Sequence, residues 1–145
     1  MDLLLQLSHT PPVTVSPAST VQEAVTLMCE NRVGAVAVVD GETLVGVFSE
    51  RDVMSRVVFP NLKPGETSVR DVMTSPVEHA LATDDPIDAL ERMVKKHIRH
   101  LPITDGETRI RGMLSIRNVL QYQLEKTKNE ADALEAYFTA DGPGG

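Results

Sequence analysis

Tryptophan is absent from this chain of 145 residues, and the aromatic complement is three Phe and two Tyr. A core has to be assembled from Val, Leu, Ile, Met and Ala instead, which makes it aliphatic and adaptable. The recurring Met28, Met54, Met73, Met93 and Met113 read as filling for such a core. Cys29 is the single cysteine. This excludes an internal disulfide framework and a multi-cysteine zinc site, and the expected place for Cys29 is that of a small buried hydrophobe. Positive charge is in deficit: 14 Lys and Arg stand against 21 Asp and Glu, a net charge of −7. That balance argues against gripping a nucleic-acid polymer through a general basic surface. No apolar run approaches the length of a membrane span. The opening MDLLLQLSHTPP is rich in leucine but has no basic stretch, so it does not read as a secretion signal. A P-loop and a G-x-S-x-G elbow are missing too. His97 and His100 have no acidic, Cys or His cluster around them in sequence to complete a metal site. The expectation is a soluble, cytoplasmic protein without membrane or catalytic machinery, long enough for one ordinary domain or two small units sharing a core.

What is present is a repeat. PVTVSPASTVQEAVTLMCENRVGAVAVVDGETLVGVFSERDVM lies on VEHALATDDPIDALERMVKKHIRHLPITDGETRIRGMLSIRNVL. Val21 matches Pro86, Ala24 matches Ala89, Met28 matches Met93, and Asp40-Gly41-Glu42-Thr43 matches Asp105-Gly106-Glu107-Thr108. One extra residue follows the turn in the second copy, where a hairpin tip tolerates it.

Each copy predicts the same elements. A short extended piece, 13–15 or 77–80, leads into a helix. That helix carries an apolar stripe of Val21, Ala24, Val25 and Met28, or of Ile87, Leu90, Met93 and Val94. Ser19 or Thr20, and Asp84 or Asp85, stand where an N-cap belongs, and Pro86 suits a first helical turn. Strands over 35–39 and 101–104 turn at Asp-Gly into strands over 44–48 and 110–114. A second helix opens at Ser49 or Ser115. The copies span 1–59 and 73–125 with a turn-rich linker over 60–72. SVRDVM within the linker reads as a short helical entry to the second copy. A C-terminal helix is expected over 126–140 and a disordered tail over 141–145. Leu120, Leu124, Thr127, Ala131, Leu134 and Phe138 repeat at heptad spacing. This seam packs either on its own unit or on a partner chain.

GVFSERDVM (46–54) and GMLSIRNVL (112–120) pose the functional question. One answer is helix capping, since a serine followed three residues later by an acid is a capping-box pattern worth roughly 1 kcal/mol. The other is a nucleoside site. A strand feeding a helix through a tight turn aims the helix's first N–H groups into a crevice. Ser49 and Asp52 share a helix face, and a carboxylate suits the adjacent hydroxyls of ribose. Gly46 and Gly112 permit close approach of the backbone. The two answers are not exclusive.

Tandem units of this length, each with a G-h-x-S/T-x-x-D/N element after its second long strand, together with STVQEAVTLMCENRVGAVAVVD and KHIRHLPITD, resemble a pair of CBS (cystathionine beta-synthase) domains over about residues 8 to 122. The resemblance implies an α+β fold: two β-α-β-β-α repeats packed about a pseudo-twofold, with an extended C-terminal helix and two clefts between the repeats. It implies a regulatory module and not an enzyme, a regulatory ligand such as AMP, ADP or ATP with no cofactor or metal, and a homodimer. An unknown regulated protein is the implied listener, because no effector domain accompanies the pair in these residues. The implied contacts are Asp52 on ribose with Ser49 beside it and Arg51 on phosphate. In the second site Asn118 takes the aspartate's place, flanked by Ser115 and Arg117. Pro102, Thr14 and His79 would line base pockets. The alternative is a ligand-free structural or protein-interaction dimer.

The two copies are not equal. Asn118 is neutral and loses the charge assistance a carboxylate gives. From Arg92 to Arg117 there are seven Lys or Arg against Asp105 and Glu107, a local 7 − 2 = +5. Lys95 and Lys96 read as a solvated helix face. Arg99 and His100, at a strand entrance, are candidates for phosphate contact in either cleft.

Overall fold

The computed structural model describes residues 2–140. In the first repeat, β1 (Thr14–Val15) runs parallel to β2 (Ala35–Asp40), which pairs antiparallel with β3 (Thr43–Ser49). The second repeat has the same order: β4 (Ala80–Leu81) parallel to β5 (His100–Thr104), and β5 antiparallel to β6 (Ile110–Ser115). The parallel pairs are joined by helices, α2 (Val21–Asn31) and α5 (Pro86–Lys96). Thr20 caps α2 by accepting from the Glu23 amide, and Asp85 caps α5 by accepting from the Ile87 amide. Both helices end on a non-glycine residue in the left-handed region, Arg32 (φ 54°) and His97 (φ 56°). The amides of Val33 and Ile98 then close back on the carbonyls of Met28 and Met93, a Schellman-type stop. This turn throws 33–35 and 98–100 toward the middle of the molecule.

The Asp-Gly hairpins form where the sequence places them. Gly41 and Gly106 take positive φ values of 63° and 99°, which glycine adopts without the cost other residues meet. In the second hairpin Asp105 Oδ1 accepts from the amides of Glu107 and Arg109, so its own carboxyl organises the longer loop. These amides hold the Asp105 carboxyl below the usual carboxylate range, the Glu107 amide most strongly.

After β3 the chain makes a single turn, α3 (Glu50–Asp52), and passes into a π-helix over Val53–Val58. The linker holds a 3₁₀ turn at Pro64–Glu66 and α4 (Val69–Val72). The last helix, α6, is one unbroken element over Ile116–Ala140. The helix expected over 126–140 is therefore continuous with the one that closes the second repeat, because nothing between Leu120 and Leu134 breaks it.

Two core clusters exist, one per sheet, and each takes a segment from the other half. Leu4, in an N-terminal helix α1 (Leu3–Leu7), is fully buried among Ala80, Leu101, Leu114 and Val119 of the second cluster. Val69 and Val72 of α4 are buried with Val21, Val36 and Phe48 of the first. His9 and Met113 exchange backbone hydrogen bonds, as do Thr74 and Val47. Residues 3–9 and 69–74 are 65 apart in the repeat, so the exchange is reciprocal. The start of the chain therefore packs with the second copy, and the linker's end packs with the first. Burial decides this: each sheet has an open apolar face that its own α2 or α5 does not cover.

Other expectations change with burial. Cys29 is exposed, because the α2 stripe turns inward at Met28 and the next residue falls about 100° around the helix. Met54 is 64% exposed, carried outward by the π-helix. Leu124 and Leu134 are 69% and 57% exposed, so beyond Gln123 the described part of α6 lies clear of its own unit. Among the described residues that rules out packing of the heptad seam on its own module. The side chain of Phe138 and the tail at 141–145 lie outside the described residues.

Candidate functional site

Each second helix is stapled to the strand entrance beside it. The Glu50 amide donates to the Gly34 carbonyl at 3.0 Å, and the Ile116 amide to the Arg99 carbonyl at 2.8 Å. The staples fix two helix openings beside two cavities, one of about 620 Å³ and one of about 540 Å³. Both fall within the range of small-molecule pockets.

Ser49, Arg51 and Asp52 line the first cavity, with Val47, Val77 and Ile98 as its apolar wall. The capping box is formed in full. Ser49 Oγ accepts from the Asp52 amide, and Asp52 Oδ2 accepts from the Ser49 amide at 3.0 Å and its hydroxyl at 3.2 Å. Thr74 adds its hydroxyl at 3.1 Å from Asp52 Oδ1, and Arg56 Nε stands 3.6 Å from the same oxygen. The Asp52 side chain is only 7% exposed, while that of Arg56 is 48% exposed. A carboxylate offers about four lone-pair sites. The chain's own donors meet most of them, and Arg56, whose Nη1 also donates to the Met73 carbonyl at 2.6 Å, is the most distant of these partners.

Arg51 reaches across the repeats to donate to the His97 carbonyl at 3.0 Å. Lys96 lines the same cavity but pairs with Glu78 at 3.6 Å. Glu78 also receives Arg92 at 3.1 Å. The Arg92 hydrogen bond, aided by Lys96, holds the Glu78 carboxyl below its ordinary range. Part of the basic run from Arg92 is thus internally matched.

Ser115, Arg117 and Asn118 line the second cavity, together with Arg32 and His9. Ser115 Oγ accepts from the Asn118 amide, so it caps α6 as Ser49 caps α3. Asn118 departs from the aspartate it replaces. Its Nδ2 donates to the Leu7 carbonyl at 2.8 Å and fastens the exchanged N-terminal segment.

Arg99, His100 and Glu50 line both cavities and form their common wall. Burial pushes the His100 imidazole below its ordinary value, Arg99 adds to this and Glu50 opposes it. Space is tight here, since a Cβ on Gly34 would stand 3.1 Å from the His100 ring, which would have to give way slightly. Gly46 and Gly112 do allow close approach, but to this chain's own segments. A Cβ at Gly46 would meet Met73 Sδ at 2.5 Å, and one at Gly112 would meet Thr10 Cγ2 at 3.0 Å.

Three expected contacts lie elsewhere. Thr14 sits in β1 on the outward face, because Val15 turns into the core and strand residues alternate. His79 bonds Thr104 Oγ1 through Nδ1 at 3.0 Å, while Pro76, Val77 and Glu78 reach the cavity before it. Pro102 is buried inside β5, opposite Met113 and beyond the end of the short β4, where its missing N–H costs no ladder bond. Thr74, Arg56, Glu50 and Arg32 were not anticipated. Carrying the 65-residue offset upstream would have paired Thr74 with His9 and marked both as cavity residues.

Among the described residues no group of three His, Cys, Asp or Glu could hold a metal, and no helix is long and apolar enough to cross a membrane. The family model described as "CBS domain" matches the chain twice, over residues 5–58 and 69–125. The Meiotically up-regulated gene 70 protein of Schizosaccharomyces pombe is 36% identical over 138 residues, covering 95% of this chain and 18% of that protein. A solved CBS-domain protein from Burkholderia ambifaria superposes with a TM-score of 0.80 at 27% identity, over 86% of this chain and 93% of that one. Another, from Pyrobaculum aerophilum and complexed with AMP, superposes with a TM-score of 0.72 at 30% identity, over 79% of this chain and 88% of that one. The chain spans 18%, 57% and 37% of the length of three curated relatives it matches.

Proposed function

The chain belongs to the CBS-domain family, and from that premise we propose that it is a regulatory module that binds an adenine nucleotide, of the AMP, ADP or ATP class, between its repeats. The observation that carries this reading is the first cavity. A polar floor of Ser49, Asp52 and Thr74 faces an apolar wall of Val47, Val77 and Ile98, with Arg51 and Arg99 at its edge. Hydroxyls, a flat base and a phosphate are the three chemistries such a lining meets. The AMP in the Pyrobaculum aerophilum protein, 30% identical, supports the ligand class. The reading contains no catalytic step. Ligand would touch both repeats, favour one relative orientation and so bias a partner surface.

A homodimer is part of the proposal. Met54 and Val58 in the first repeat and Leu120 and Leu124 in the second occupy equivalent positions, 66 apart, and all are at least half exposed. Paired apolar faces of this kind suit an isologous contact with a second copy. One observation favours the ligand-free alternative: Asp52 is already satisfied by its own chain.

Calorimetric titration with AMP, ADP and ATP tests the reading, with Asp52→Asn as the variant. Binding weakened by about 1–3 kcal/mol in the variant is the expected result. Absence of binding by all three nucleotides would leave the interaction dimer as the reading.

A further inference from the structure

The match to the family model ends at residue 125, and α6 runs on past it to Ala140. Every residue from 124 to 137 is exposed, with Leu124 and Leu134 on the heptad seam. A single helix of about a dozen residues with water on all sides is marginal. This stretch calls for a cover that its own module does not supply.

A second uncovered apolar row lies at the equivalent place in the first repeat. The π-helix presents Met54 and Val58 outward, and the turn after it adds Phe59, 88% exposed, and Leu62. Backbone bonds hold this ridge in shape: the Leu62 amide donates to the Val57 carbonyl at 2.8 Å, and the Asn61 amide to the Val58 carbonyl at 3.0 Å. Met54 also lines the first cavity, so the ridge is continuous with the candidate site.

Charge decides what meets what. Residues 53–63 carry Arg56 and Lys63 and no acid, a formal +2, and counting the exposed Glu66 at 4.0 Å from Lys63 leaves +1. Residues 125–135 carry Lys126 and Lys128 against Glu125, Glu130, Asp132 and Glu135, a formal 2 − 4 = −2. Two copies placed like on like would set ridge on ridge and helix on helix, with equal charges opposed in both contacts. Placed head to tail, each ridge meets the other copy's helix with opposite charge, and the twofold repeats the contact.

We infer that the exposed stretch of α6 is a docking arm for a second copy of this chain: it seats on that copy's ridge of Met54, Val58, Phe59 and Leu62, so that the copies associate head to tail. The inference rests on the homodimer of the proposed function and adds which surfaces meet. It covers Leu134 and Phe59, which the chain leaves bare. Through Met54 it brings each copy's α6 against the element that borders the other copy's first cavity.

The test is sedimentation equilibrium of the full chain at about 50 mM and about 500 mM salt, a range over which screening of exposed charges grows several-fold. The variants are Glu130→Gln/Glu135→Gln on the arm and Lys63→Gln beside the ridge, all exposed positions, with Glu107→Gln at the second hairpin tip as control. Head-to-tail seating predicts a parent dimer that weakens as salt rises. At low salt each of the two variants should raise the dimer dissociation constant roughly three- to tenfold, and the control should not. Like-on-like seating predicts the opposite sign, because removing a charge from either surface relieves a repulsion. A dimer left unchanged or tightened by either variant overturns the inference and spares the homodimer, as does an equal loss in the control. A parent that is monomeric throughout removes the homodimer and this inference together, and hands the arm to a different protein.

Discussion

Thr74 donates its hydroxyl to Asp52 Oδ1 across 3.1 Å, and by that bond the segment entering the second repeat is fastened to the carboxylate that caps a helix of the first. Asp52 is buried and its remaining acceptors face Ser49 and Arg56. A hydrogen bond to a buried charge contributes more than one between neutral groups, about 1.5–3 kcal/mol. Thr74→Val keeps the shape and removes the donor. Urea unfolding should show a loss of about that size, with Thr74→Ser recovering most of it. A Thr74→Val variant as stable as the parent would mean that Ser49 and Arg56 alone satisfy the carboxylate.

The exposed apolar positions make an assembly prediction. Val58 and Leu124 are 63% and 69% exposed. Lysine at both places should leave the fold intact, because neither side chain fills a core, and should turn a dimer into a monomer. Analytical ultracentrifugation of the parent and of Val58→Lys/Leu124→Lys reads this directly. A parent that sediments as a monomer at every concentration removes the homodimer from the proposal.

His100 makes stability depend on pH. Burial lowers its proton affinity in the folded protein below the ordinary value of 6.5, with Arg99 acting in the same sense and Glu50 against it. Above that value the imidazole is neutral in both states and contributes no slope. As pH falls below it, the unfolded chain takes up the proton first. The folded state then loses ground until pH passes its own lower pKa, after which the loss is constant. Denaturant midpoints should therefore decline as pH falls below 6.5 more steeply in the parent than in His100→Gln. Parallel curves for the two proteins would show that His100 is not the group responsible.

How much of this was legible in advance follows from the range of each interaction. The helices α2 and α5 announce themselves through stripes at Val21, Ala24, Met28 and at Ala89, Met93, and through caps at Thr20 and Asp85. The hairpins announce themselves through Asp40-Gly41 and Asp105-Gly106. The capping box at Ser49 and Asp52 is likewise a matter of three residues' spacing. Where Thr14 and His79 point was not legible, because the face a short extended segment presents depends on the sheet it joins. Cys29 was misplaced because one residue's step around a helix separates core from surface.

The sequence by itself determined two repeats, their order of elements, the family they belong to and the pair of serine-capped helix openings. Those features arise from contacts within a few residues, and their duplication made the pattern unambiguous. The tertiary structure alone decided the reciprocal exchange of Leu4 and Val69, the filling of Asp52 by Thr74, the tether from Asn118 to Leu7, and the placing of Arg99 and His100 on a wall common to both cavities. The tether joins residues 111 apart in the chain, and the bond from Arg51 to His97 joins residues 46 apart. Such contacts follow from how two sheets bury their open faces against each other's leading segments, and no local spacing encodes that choice.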